Sequence, residues 1–211
     1  MGKTKKAQSL PPQWVLDQMF SKDEMIQIMT TVSMHDPCVV LTENTRTLVG
    51  KLIAFFSSDD DPSPRPHETY THAMWLYWDA IANAPRLASQ DLTGLHSVPL
   101  KKYLSGDFRI KIWAFSFGNP QATGRWIHEQ ITLPWYKRLY DVLGIVGQLF
   151  ELEWLQNPCR RFCSEWVMEG LKIMLGKNCP TVKRPSPIKL NVCLESEPGA
   201  QVIARYDKEI L

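Results

Sequence analysis

The chain has 211 residues, a length that suits one domain with tails. With 44% hydrophobic and 22% charged residues and a net charge of +2, it reads as a globular protein, neither a nucleic-acid binder nor an acidic-tail protein. No apolar run reaches the roughly 18 residues of a membrane-spanning helix. Residues 1–13 carry Lys3, Lys5 and Lys6 without an apolar stretch behind them, which predicts a flexible basic arm and no secretory signal peptide. Helical spacing starts at Trp14 and runs to Met29, with a second start at Ser21, where Glu24 completes capping-box spacing. Cys38–Thr42 is a short β-branched run, expected as a buried strand. Asn44 and Thr45 then cap a predicted helix over Arg46–Phe56, and Asp59–Pro66 is a charged, proline-rich loop.

Thr69–Trp78, aromatic and β-rich, is expected as a central strand that puts His72, Met74, Leu76 and Trp78 on one face and Ala73, Trp75 and Tyr77 on the other. Asp79–Pro85 is a turn. Arg86–Leu92 returns as a strand, Leu95–Val98 continues it, and Pro99–Leu104 forms a short helix. Phe108–Phe117 alternates as a further strand. Gln121–Gln130 opens a helix after a loop, and Leu133–Leu155 reads as helical, broken by Gly144 and Gly147. A helix over Ser186–Leu194 and an edge strand over Val202–Tyr206 close the chain. The fold class is α+β, with 14–211 as a single domain whose core spans about 38–175.

The stretch with chemical promise is Pro158–Leu175. Cys163 stands where a turn gives way to a helix with Val167, Leu171 and Met174 on one face. A thiol in that place feels the positive end of the helix dipole and, beside Arg160 and Arg161, is expected to ionise more easily. The first-turn N–H groups could hold an oxyanion. A buried inert thiol is the alternative. The five cysteines contain no CxxC pair, so neither a metal site nor a cofactor is expected, and free thiols are the default. Of the five histidines, His72 stands out, because a strand end can hold a general base rigidly. His35 and His67 read as solvated and His128 as structural or exposed.

The succession CVVLT, TLVGKLIAFF, YTHAMWLYW, the return strand with GLHSVPLKKYL, LYDVLGIVG and RRFCSEWV resembles a circularly permuted papain-like family. It is similar to the permuted branch of the NlpC-type cell-wall peptidases, which includes the lecithin–retinol acyltransferase-like proteins. The order of the six segments carries the resemblance, over about Cys38 to Leu175. It implies a papain-like antiparallel sheet packed against helices, Cys163 as nucleophile and His72 as base. The family orients its histidine with a polar residue, often Glu, on the following strand. Counting back from PLKKYL puts Gln90 there, with Asp91 and Ser89 as the alternatives on the opposite face. Tyr140 matches a YD element and is a candidate for lining the substrate cleft or for helix packing.

The activity so implied is a cysteine hydrolase acting through a thioester on an amide or peptide bond, foremost in bacterial peptidoglycan. The alternatives are a lipid or lipoprotein acyl hydrolase or transferase, and a non-catalytic structural or binding component of a virion. No nucleic acid or transmembrane segment is expected. A bacteriophage source would place the protein in the host cytoplasm or on a virion beside other virion proteins.

Overall fold

The computed structural model describes residues 19–43, 70–104, 109–139, 161–182 and 185–207. The predicted helix over Arg46–Phe56, the basic arm, Tyr140, Cys159 and Arg160 lie outside them. The described elements are mixed α and β. Six strands form one antiparallel sheet in the order β4-β3-β2-β1-β5-β6. They are β1 (Cys38–Glu43), β2 (His72–Asp79), β3 (Ala84–Asp91), β4 (Gly94–Pro99), β5 (Arg109–Phe115) and β6 (Ala200–Tyr206). The helices are α1 (Lys22–Ser33), α2 (Leu100–Tyr103), α3 (Pro120–Thr132), α4 (Cys163–Leu175) and α5 (Pro187–Ser196).

Local chemistry sets several boundaries. Ser21 caps α1 and Glu24 reaches back to the Ser21 N–H at 2.9 Å, the reciprocal pair its spacing predicts. Asn119 and Ser186 cap α3 and α5, each followed by a proline in the first turn, where a missing N–H costs nothing. Gly176, at φ +57°, ends α4.

Two expectations need correction. Leu95–Val98 does not continue β3. The chain reverses at Leu92-Thr93 and returns as β4, because the Asp91 carboxylate accepts the Thr93 N–H at 2.8 Å and Gly94 adopts φ +98°. In the described part of the predicted helix over Leu133–Leu155, only a single 3-10 turn forms, at Trp135–Lys137, and Pro134 interrupts any run from α3.

The alternation of β2 divides the core. Ala73, Trp75 and Tyr77 join Val39, Leu41, Ala88 and Trp113 beneath α3, α4 and α5. Met74 and Leu76 join Val40, Leu87, Ile110 and Ile112 beneath α1 and α2. The sheet is thus covered on both faces, and β2 is buried from Ala73 to Tyr77. Two hundred or so residues with this aromatic content can fill both layers.

Candidate functional site

Cys163 is the first residue of α4 and is buried. The turn of α4 is closed by Glu165, whose carboxylate accepts the Phe162 N–H at 3.3 Å, and by Ser164, which donates to the Pro185 carbonyl at 2.6 Å. Trp166 packs inward, stacked on Trp126 of α3 at 5.2 Å. Arg161 does not offer an unshared positive charge to the thiol: its Nε meets Glu169 at 2.9 Å and its Nη1 donates to Gln130 at 3.1 Å.

His72 opens β2, opposite Thr42 of β1. Its Nε2 is 2.8 Å from the Ser89 hydroxyl of β3. If Nε2 carries the proton and Ser89 accepts it, Nδ1 is left as the acceptor nitrogen. The register Met74↔Ser89, continued by two residues, sets Asp91 opposite His72 on the same face. Burial pulls the His72 pKa down to about 4; the Asp91 charge opposes that and His96 adds to it. His72 is accordingly neutral at physiological pH, as a general base must be.

Gln90 projects from the other face. Its amide donates to the Arg138, Leu139 and Arg161 carbonyls at 3.2, 3.3 and 3.4 Å. It ties the approach to α4 onto β3 and does not meet the imidazole, so of the three residues at that step of β3 it is Ser89 that touches His72. Sequence counting missed this by one place, and one place in a strand is the whole difference between faces.

The thiol and the imidazole belong to different layers, since α4 packs under Trp75 while His72 shares the face of Met74. Tyr103 is the described residue linked to each side. Tyr103, at the end of α2, lies on the His72 face and its hydroxyl is 3.2 Å from the Thr42 hydroxyl. Burial pushes the Tyr103 pKa up to about 12; the Thr42 bond opposes this, and the charges of Cys163 and then Asp91 add to it. Cys163 thus stands within electrostatic reach of the hydroxyl that bonds the cross-strand neighbour of His72.

No family model matches the chain, and no curated protein or solved structure matches it. The site has to be read from its own chemistry.

Two further residues carried no signal in the sequence. Tyr103 sits in the PLKKYL segment, and nothing in its spacing marked it. His96 of β4 lies with its Nε2 3.4 Å from an Asp91 carboxylate oxygen and its Nδ1 2.9 Å from the Gly94 carbonyl. Only the β3–β4 reversal puts it there. Among the described residues no group of three or more His, Cys, Asp or Glu side chains is arranged to hold a metal ion, and no helix is long and apolar enough to cross a membrane.

Proposed function

We propose that the protein is a cysteine hydrolase that cleaves an amide or peptide bond through a thioester, with Cys163 as nucleophile and His72 as base. The observation that supports this reading is Cys163 buried as the first residue of α4, with the Cys163 charge raising the pKa of Tyr103, whose hydroxyl meets Thr42, the cross-strand neighbour of His72. The order of segments that resembles the permuted NlpC-type peptidases supports the same pairing, and the antiparallel sheet between helical layers is compatible with it.

The Cys163 sulfur attacks the carbonyl carbon as His72 Nδ1 takes the thiol proton. The backbone N–H of Cys163, at the positive end of the α4 dipole, receives the developing oxyanion. The C–N bond then breaks, and His72 returns its proton to the leaving amine. Water, deprotonated by the same nitrogen, hydrolyses the thioester and restores the thiol. Ser89 takes the orienting place that a glutamate fills in the family it resembles. A serine holds the ring but supplies no charge to the imidazolium.

Peptidoglycan peptide is the substrate class put forward, with the protein acting on the cell wall from the host cytoplasm or a virion. Zymography on purified cell walls, alongside a lipid-ester assay, tests the class of bond. Clearing of cell walls by wild type and its loss in Cys163→Ala, with an unchanged melting temperature, is the expected result. Equal clearing by both proteins excludes Cys163 as nucleophile, and turnover of the lipid ester alone moves the substrate to the acyl lipids.

The thiol can be tested without a substrate. Burial raises the pKa of Cys38, with the Asp36 charge adding to it, and raises those of Cys179 and Cys193, the last to about 11. These three react slowly with iodoacetamide near neutrality. A fast thiol that maps to Cys163 and disappears in His72→Gln supports the pair.

A further inference from the structure

Three large apolar side chains stand exposed on two loops that touch. Trp135 and Tyr136, in the 3-10 turn after α3, are 70% and 58% exposed, and Leu92, in the turn between β3 and β4, is 53% exposed. The loops are joined by the Leu95 N–H, which donates to the Arg138 carbonyl at 2.7 Å. A single exposed apolar residue needs no explanation; a group of them on adjoining loops marks a contact surface.

The turn that carries the aromatic pair is held firmly. The Lys137 and Arg138 N–H groups donate to the Pro134 and Trp135 carbonyls at 2.9 and 3.0 Å. Arg138 clamps the base of the turn, donating from Nη1 to the Ile131 and Leu95 carbonyls at 3.1 Å each. The two rings stand edge to face, with centroids 6.2 Å apart. The pair is therefore presented as a fixed tip.

The surroundings of the tip select what it meets. The polar groups at its base are turned inward: Arg138 Nε is buried, its Nη1 is held by two carbonyls, and the Gln90 amide donates to three more. A sugar stacked on an aromatic ring needs donors and acceptors for its hydroxyls, and these groups do not offer them. Outward stand the indole, the phenol, Leu92 and the exposed Lys137. Residues 130–139 include Lys137 and Arg138 and no Asp or Glu. Asp91, beside Leu92, turns one carboxylate oxygen into its own loop, where it accepts the Thr93 N–H at 2.8 Å and the Thr93 hydroxyl at 2.6 Å, and the other lies 3.4 Å from His96. The tip is apolar and basic.

We infer that this tip docks the protein on an anionic phospholipid surface. Trp and Tyr combine an apolar body with one polar atom, the form that settles at the boundary between headgroups and acyl chains. Leu92 adds apolar area, and Lys137 meets lipid phosphate. The contact is peripheral and reversible, and it calls for no spanning segment. The Gln90 amide that bonds the Arg138 carbonyl also donates to the carbonyl of Arg161, two residues before Cys163, so the tip and the approach to α4 share one anchor. The inference does not rest on the hydrolase reading, because docking is measured without turnover.

The test uses the full chain and sedimentation with vesicles of phosphatidylcholine containing phosphatidylglycerol, with phosphatidylcholine vesicles in parallel. Wild type is expected to sediment with the anionic vesicles. Trp135→Ala combined with Tyr136→Ala should weaken binding by about tenfold or more, since both interfacial rings are removed. Lys137→Gln should weaken it by about fivefold on the anionic vesicles and leave it unchanged on phosphatidylcholine. Ile81→Ser is the control. Ile81 is 84% exposed in the turn between β2 and β3, at the other end of the sheet, and its loss should change nothing. The altered side chains are all exposed, so unchanged melting temperatures separate lost docking from lost fold. Brominated lipids should quench part of the tryptophan fluorescence of wild type and less of that of Trp135→Phe, which keeps a ring and should still bind.

Wild type left in the supernatant with both kinds of vesicle would overturn the proposal. So would vesicle binding that survives the loss of both rings, or that Ile81→Ser weakens as much. Binding to purified cell-wall sacculi that the double variant loses, without vesicle binding, assigns the tip to a glycan and overturns the lipid surface too. The hydrolase reading stands or falls separately, on Cys163→Ala.

Discussion

At the scale of single residues, the site turns on what touches the His72 ring. Ser89 holds Nε2 at 2.8 Å, and Gln90, next to it in the chain, spends its amide on three carbonyls of the segments leading to α4. The two are therefore expected to fail differently. On the hydrolase proposed above, Ser89→Ala releases the imidazole and should lower kcat by about tenfold or more with little change in KM, since orientation matters most in the transition state. Gln90→Ala should instead lower the melting temperature, because it removes a buried donor that ties three backbone segments together. The helix start at Cys163 was legible in the sequence: a cysteine between a turn and an apolar helical stripe marks a helix N-terminus, and α4 begins at that residue. The choice among Ser89, Gln90 and Asp91 was not legible. Their side chains alternate between faces, and only the pairing of β2 with β3 says which face His72 shares.

At the scale of elements, α4 owes its position to a glycine. A methyl group at Gly170 would lie 2.7 Å from Trp75 Nε1 and 2.8 Å from the Trp126 ring, so the helix backbone rests directly on the indoles of β2 and α3. Gly170→Ala gains about 1 kcal/mol of helix propensity. The clash outweighs that gain, and a net loss of about 1–2 kcal/mol is expected from overpacking, read as a lower melting temperature. The displaced helix should also slow alkylation of Cys163, which ties packing to the site. A comparable close approach occurs at Gly94, where a Cβ would meet the Arg138 carbonyl at 2.6 Å. That carbonyl accepts from both Leu95 N–H and Gln90, so the β3–β4 reversal is built around it. Element types were readable from periodicity and caps, as the Ser21–Glu24 pair and the prolines opening α3 and α5 show. The reversal at Leu92-Thr93 was missed because β3 and β4 together resemble one interrupted strand, and the deciding turn rests on an Asp91 hydrogen bond and one positive φ.

At the scale of the whole molecule, the sheet lies between two helical layers and the polar cluster occupies one of its ends. That end is stitched by charge: Arg109 of β5 bonds Glu43 of β1 and, at 2.6 Å, Asp207 just past β6. Lys111, fully buried, pairs with Glu195 of α5 at 2.8 Å and lies 4.9 Å over the Trp113 ring. Burying a neutral imidazole at the same end has a cost in acid. The folded state holds His72 near a pKa of about 4, whereas the unfolded chain takes up a proton near the ordinary value of 6.5. Between those values the unfolded state binds more protons, so stability falls as pH drops through that window and levels off below it. Urea unfolding across that range should show the slope, and His72→Gln should flatten it. Composition, alternation and capping by themselves determined an α+β chain, the split of β2 between two cores, and a cysteine at a helix start, because those signals act over a few neighbouring residues. Tertiary structure alone decided that Ser89 meets His72, that Gln90 reaches the Arg138, Leu139 and Arg161 carbonyls and that Asp91 lies 3.4 Å from His96. Those contacts depend on strand register and on the β3–β4 reversal, and neither leaves a periodic trace along the chain.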